Sequence, residues 1–295
     1  MEIAIRDVTL YQAGFDHLTE GSAQVGLRRL EVALSRTLGL PAPQESLRQR
    51  LPAGGEEERR AAREAYREAG LELCALFVPN NFNAPDREAE VAWVVEAVGV
   101  ADALGVPVVR LDGAMSGPER LNRRRRVALY AEALEQVLER TPQAQAALAV
   151  ENHGRQGNDL IWLEDLLRQA DSPRVGLTLD PANLYWAGYP LEQVYEIAAR
   201  LAPRVLHLHA KNLAYPEARR QRRRPPGWEY DCCVCPLAEG DLDYRRLLGL
   251  LHAVGYPGVV AIEEEALGSF PPTQRAELLR QDVAYLQSCL EAPAD

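Results

Sequence analysis

Glu151, Asp180 and His209 follow one another at intervals of 29 residues, and Glu263 ends a later apolar run. Each closes a stretch of aliphatic residues: ALAVE, VGLTLD, VLHLH and VVAIE. Three carboxylates and an imidazole brought together would repel one another or take up protons. A divalent cation removes that conflict. Two or three carboxylate oxygens with one imidazole nitrogen suit Mn²⁺, Mg²⁺, Co²⁺ or Zn²⁺ and leave positions open for substrate oxygens. Lys211, the only lysine among 33 basic residues, lies two positions past His209. A compact ammonium can donate to a substrate oxygen where a planar guanidinium needs more room.

These residues can act together only if the fold brings the ends of their runs to one place. Short β-rich runs alternate with longer amphipathic ones. Strands are expected at 2–5, 27–33, 71–78, 107–111, 147–151, 175–180, 205–209 and 258–263. Helices are expected at 87–104, 121–140, 159–169, 191–201, 244–254 and 273–290, and Gly70, Gly105 and Gly255 act as stop signals. Strands apolar on both faces belong to parallel sheets. Eight such units predict an α/β fold, a (β/α)8 TIM barrel, as a single domain over residues 1–295. A doubly wound open sheet would carry G-x-G-x-x-G after its first strand, and none is present.

Functional residues of such barrels sit at the C-terminal ends of the strands, and alternation sets which side chains face the axis. That count turns Glu31, Glu151, His153, Asp180, His207, His209, Lys211, Glu263 and Glu265 inward, and Leu206 and Leu208 outward. The two equal intervals read as equal heights for Glu151, Asp180 and His209. His207, one step deeper, reads as a structural hydrogen-bonding residue.

Composition narrows the classes. A net charge of −10 disfavours nucleic acid as a partner. The first residues lack the basic start and apolar core of a signal peptide, and no apolar run reaches a membrane span, so a cytoplasmic location without a membrane partner is expected. Five cysteines in a chain this long argue against a disulfide framework. Cys232, Cys233 and Cys235 have no fourth ligand nearby and read as free thiols in a loop.

Two arginine-rich runs stand on the catalytic face, one over 120–126 and one over 219–224. Arg222 and Arg223 are candidates for holding an anionic group of a substrate; the alternative is pairing with acidic residues of the same or another subunit. Tyr185, Trp186, Trp228 and Tyr230 are either walls for a sugar ring or packing for the loops. Residues 212–241, the longest non-periodic stretch, have a length typical of functional or disordered connections.

The motifs ALAVENHG, VGLTLDPAN, HLHAKN, GDLDY and GYPGVVAIEEE resemble the xylose isomerase-like TIM barrels, the sugar phosphate isomerase/epimerase group, across essentially the whole chain. The resemblance implies one divalent metal ion held by Glu151, Asp180, His209 and Glu263. It implies a sugar or sugar-phosphate substrate that is isomerised or epimerised by proton transfer through an enediolate, with Glu151 and Glu263 as acid and base. Lys211 would aid turnover, and His153, Asn183, Glu31 and Trp186 would contact substrate or its ligands. A metal-dependent dehydratase of a cyclic polyol or keto acid is the alternative on the same site, and a barrel without turnover is a third. The resemblance also leaves a homo-oligomer open. Asn183 and Tyr215 depart from the tagatose-type 3-epimerases, which carry His and Arg there. Asn81, Asn183 and Asp243 stand about where the DNA-repair relative endonuclease IV would need histidines.

Overall fold

The computed structural model describes residues 1–46, 49–113 and 121–291; Arg120 of the first arginine run lies outside the described residues. Eight parallel strands close a barrel: β1 Glu2–Arg6, β2 Arg29–Ala33, β3 Glu72–Val78, β4 Val108–Asp112, β5 Ala147–Glu151, β6 Val175–Leu179, β7 Val205–Ala210 and β8 Val259–Ile262. They neighbour one another in chain order, and β8 returns to β1. The larger outer helices are α1 Leu18–Val25, α2 Glu56–Glu68, α3 Arg87–Leu104, α4 Arg123–Arg140, α5 Leu160–Gln169, α6 Leu191–Leu201, α7 Tyr244–Ala253 and α8 Pro272–Glu291. The alternation of apolar strands and amphipathic helices is therefore a (β/α)8 barrel.

The physical division is between the two faces of each strand. Leu30, Val32, Leu148, Val150, Leu177, Leu208, Val260 and Ile262 point to the helices and are all fully buried. Each such side chain contributes roughly 1.5–3 kcal/mol by leaving water. The inner face differs. At the floor of the barrel Ala4, Cys74, Ala75, Val108, Ala149 and Ala261 form a small separate cluster. Small floor residues leave volume for long polar side chains above them.

Simple alternation breaks at two bulges, one at Cys74, which lets Cys74 and Ala75 both join the floor cluster, and one at Leu206. Thr178 pairs with His207 while Leu177 pairs with Val205, so Leu206 is skipped by a bulge. Leu206 then packs on the floor cluster rather than on the helices. Gly176 makes this possible, since a Cβ there would lie 2.6 Å from the Leu206 side chain and 2.5 Å from the Arg204 carbonyl. Equal spacing is equal register from Asp180 to His209 but not from Glu151 to Asp180. Glu151 pairs with Thr178, and Thr178 with His207, so Asp180 and His209 each stand two residues beyond that level. His209 pairs with Ala261, which places Glu263 two residues further still. The four residues climb by rather more than one position per strand, as the stagger of an eight-stranded barrel requires.

The connection over 212–241 is ordered. It holds a two-stranded ribbon, Asn212–Leu213 with Val234–Cys235, and short helices at Glu217–Arg220 and Tyr230–Cys233. Among the described residues no helix is long and apolar enough to cross a membrane.

Candidate metal centre

Asp180, just past β6, caps the short helix Pro181–Trp186: its Oδ1 accepts from the Asn183 backbone N–H at 3.0 Å. The Asn152 side chain fastens the end of β5 to this turn. Its Oδ1 accepts from the Asp180 N–H (2.7 Å) and its Nδ2 donates to the Asp180 carbonyl (2.8 Å). Glu151 is held from behind by Gly113, whose N–H donates to the Glu151 carbonyl at 3.2 Å. A Cβ at Gly113 would sit 2.7 Å from that oxygen. Tyr244 clamps the backbone of Lys211 by donating to its carbonyl (2.8 Å) and accepting from its N–H (2.9 Å).

One ligand atom from each of Glu151, Asp180, His209 and Glu263 lies within 4.8 Å of the others, and all four residues are buried. His209 Nδ1 is 3.2 Å from Glu151 Oε1 and 3.3 Å from Glu263 Oε2. Ligand atoms sharing a tetrahedral ion at about 2.0–2.1 Å would be about 3.3 Å apart. The second oxygen of each glutamate is already occupied. Glu151 Oε2 is paired with Arg110, and Glu263 Oε1 with Arg6. Each glutamate thus offers one oxygen to a common centre and gives the other to a guanidinium. Asn183 Nδ2 donates to Glu151 Oε1 at 3.1 Å, so Asn183 orients a candidate ligand.

Charge counting agrees. Glu31, Asp112, Glu151, Asp180 and Glu263 are buried carboxylates at this rim; Arg6, Arg110 and Lys211 are the buried cations that meet them. These five outnumber the three cations even before Glu265, which shares Lys211, and buried Asp7 beside Arg6 are counted, and a divalent ion would offset part of that excess. The residues present fit such an ion. Lys211 Nζ lies 3.1 Å from Asp180, 3.2 Å from Glu263 and 3.0 Å from Glu265. Burial alone would lower Lys211, but Asp180 and Glu265 outweigh it and raise the ammonium above its ordinary value.

Other expected residues fall in different places. Glu31, read as a substrate contact, is fully buried, and its Oε2 accepts from His207 Nε2 (2.6 Å) and His209 Nε2 (2.8 Å). Burial opposes its ionisation, yet the His209 and His207 imidazoles hold it well below the ordinary carboxylate range. Burial pulls both imidazoles below the usual histidine value. His153 stands at the mouth with its side chain 34% exposed, and its Nδ1 lies 3.0 Å from Asp112. Burial would raise Asp112, but Arg110 and then His153 hold it lower. Trp186 is partly exposed, whereas Tyr185 is buried and donates to Asp241.

The arginine runs separate into paired and exposed members. Arg123 bridges Asp159, Arg125 bridges Glu132, and Arg220 bridges Asp241. Arg224 is buried and donates to the carbonyls of Arg219, Arg222, Tyr185 and Tyr189. Arg222 and Arg223 remain exposed, and Arg223 lies over the Tyr189 ring at 3.9 Å. Cys232, Cys233 and Cys235 are free thiols, with burial pushing Cys233 up and Cys235 up to about 12.

Reading by residue type passed over Arg6, Arg110, Asp112 and Asn152. The first three follow from the same alternation that selected the glutamates, since EIAIR and VVRLD turn them inward.

The chain belongs to the xylose isomerase-like TIM barrel family, whose model matches residues 32–289. No curated protein matches it in sequence. Among solved structures it is similar to an IOLI protein with a bound zinc atom (TM-score 0.72, 14% identity, 99% of this chain and 100% of that one). It is also similar to a D-tagatose 3-epimerase-like protein (TM-score 0.66, 18% identity, 99% of each). A third is the probable 3-DHS dehydratase AsbF of Bacillus anthracis (TM-score 0.67, 15% identity, 97% and 99%). At these identities the likeness is one of fold.

Proposed function

We propose that the chain is a divalent-metal-dependent isomerase or epimerase that moves a proton next to a carbonyl of a small sugar or sugar phosphate. The observation that carries this reading is the buried set Glu151, Asp180, His209 and Glu263, with ligand atoms within 4.8 Å. A bound divalent ion would supply Lewis-acid stabilisation of the charge that develops on the substrate oxygens. Glu151 and Glu263, on β5 and β8, flank His209 and are assigned proton removal and return, which requires the oxygen paired with Arg110 or Arg6 to turn toward the substrate. Lys211 places its ammonium between Asp180 and Glu263, where it can donate to a developing oxyanion. Asn183 keeps Glu151 aimed at the centre, and Arg6 and Arg110 hold the outer glutamate oxygens.

A dehydratase is the second reading, favoured by the His153–Asp112 pair at the mouth. An imidazole oriented by a carboxylate can deliver a proton to a departing hydroxyl. One experiment separates the two. Purified protein is incubated in D₂O with added Mn²⁺, Co²⁺ or Zn²⁺ and a panel of sugars, sugar phosphates and cyclic polyols. Reversible exchange of a substrate C–H next to a carbonyl is the expected result. Loss of water with a new conjugated chromophore supports the dehydratase instead. No exchange and no product across the panel would refute both.

A further inference from the structure

Beneath the candidate ligands lies a second group, Glu31 with His207 and His209, fully buried. Its contacts of 2.6 and 2.8 Å are hydrogen-bond lengths. They are shorter than the about 3.3 Å expected between atoms sharing a tetrahedral ion, so this group is a carboxylate taking two N–H donors. We infer that Glu31 is the positioning residue of the metal centre, fixing which nitrogen of His209 meets the cation. The inference rests on the metal reading above.

A neutral imidazole carries one N–H. His209 Nε2 faces Glu31 alone at 2.8 Å, while Nδ1 faces two other carboxylates at 3.2 and 3.3 Å. We assign the proton to Nε2, where the contact is shortest. Nδ1 then presents a lone pair toward Glu151 and Glu263, an arrangement of acceptors that only a cation satisfies. Glu31 also accepts from His207 Nε2, leaving His207 Nδ1 without a partner. Arg6 completes the unit. It lies 3.3 Å from Glu31 Oε1 and pairs with Glu263, tying the carboxylate under the histidine to a ligand beside it. β1, β2, β7 and β8 are thereby joined beneath the cation. A carboxylate behind a ligating histidine fixes the ring and raises its basicity, and losing one typically costs 10–100-fold in metal affinity.

Glu31→Gln tests this. The amide keeps the volume but carries no charge. With its oxygen at the Oε2 position it still accepts from both imidazoles but turns its NH₂ group on Arg6; turned the other way, it points N–H groups at both imidazoles. Either orientation loses a contact that the carboxylate makes. Zn²⁺ affinity is measured by chelator competition, and the ring nitrogens of zinc-loaded protein by long-range ¹H–¹⁵N spectra. Wild-type protein should show His209 protonated at Nε2 and ligated through Nδ1. Glu31→Gln should weaken Zn²⁺ about 10–100-fold, Glu31→Asp should recover part of that loss, and His207→Gln should change affinity by less than about threefold because His209 keeps its carboxylate. Affinity of Glu31→Gln within threefold of wild type, or Nε2 ligation in the wild type, overturns the inference. Should Glu31→Gln not fold, the wild-type His209 spectrum decides. A wild-type chain that binds no Zn²⁺ removes the metal reading and this inference together. Intact wild-type binding with an unaffected Glu31→Gln removes only the inference.

Discussion

Arg110→Met is the substitution whose cost can be worked out most directly. The Arg110 side chain is 2% exposed and meets Asp112 (8%) at 2.7 Å as well as Glu151 (1%). Removing the guanidinium leaves two buried carboxylates facing each other with no counter-charge. Breaking a buried pair by deleting one partner costs about 3–5 kcal/mol, because the remaining charge stays desolvated. At about 2 °C per kcal/mol for a chain of this size, the melting temperature should fall by roughly 6–10 °C at pH 7 without added metal. The same barrel contains its own control. Arg29, at the opposite end of the strands, also bridges two carboxylates, Glu2 at 2.7 Å and Glu72 at 2.9 Å, but the three side chains are 33%, 58% and 56% exposed. Water screens that triad, so Arg29→Met should cost at most about 1 kcal/mol. Differential scanning calorimetry of both variants beside the wild type measures the contrast. Equal losses, or an Arg110→Met loss under about 2 °C, would show that desolvation at the rim does not govern the pair and would remove the charge count on which the metal reading leans.

Lys211→Arg should lower turnover at least about tenfold while leaving Zn²⁺ affinity within about threefold, because the 6%-exposed slot among Asp180, Glu263 and Glu265 fits an ammonium and not a planar fork; parallel activity and metal titrations check it. Outside the barrel, Glu264 and Asp282 form a buried carboxyl pair in which burial pushes Glu264 up to about 9 and Asp282 up to about 6. A carboxyl raised on folding stabilises most below its unfolded value and loses that contribution as pH rises through its folded one, so stability should decline between about pH 4.5 and 9. Glu264→Gln, which mimics the protonated form, should flatten that decline in melting curves. Arg224→Ala should destabilise the protein by about 2–3 kcal/mol through four carbonyls losing their donor. Gln at both Arg222 and Arg223 should leave stability within about 0.5 kcal/mol, and any change in preference for phosphorylated over free sugars would assign these two a substrate role.

The barrel was legible because its signal repeats. Eight apolar runs separated by amphipathic ones admit few architectures, and the inward count follows from a period of two. That count fails only where the period breaks. The bulge that turns Leu206 onto the floor depends on Gly176 of the neighbouring strand leaving space, a contact between residues 30 positions apart that no local pattern encodes. The equal 29-residue intervals mark equal register from Asp180 to His209, whereas Glu151 and Glu263 reach the same place from other levels. Neighbouring strands in a tilted barrel are staggered, so residues that converge in space must climb relative to their hydrogen-bonded partners.

At the centre, selection by ligand type finds acceptors and overlooks what balances them. Glu151, Asp180, His209 and Glu263 stand out because they could hold a cation, yet none could remain buried and ionised on its own. Arg6 and Arg110 make that possible. Each takes one oxygen of a glutamate and leaves the other for the shared centre. Both guanidiniums also lie over the ring of Phe77, at 4.7 and 4.3 Å, so one side chain of β3 helps hold both cations. Glu31 does for His209 what the arginines do for the glutamates, by taking the ring proton on the side away from the centre. The centre is therefore specified by pairs of side chains from different strands, one offering an atom to the centre and the other holding the opposite atom. Arg6 and Arg110 could have been found from the sequence by asking of every inward carboxylate which inward cation is close enough to accompany it underground, since β1 and β4 each turn an arginine to the axis just below the rim.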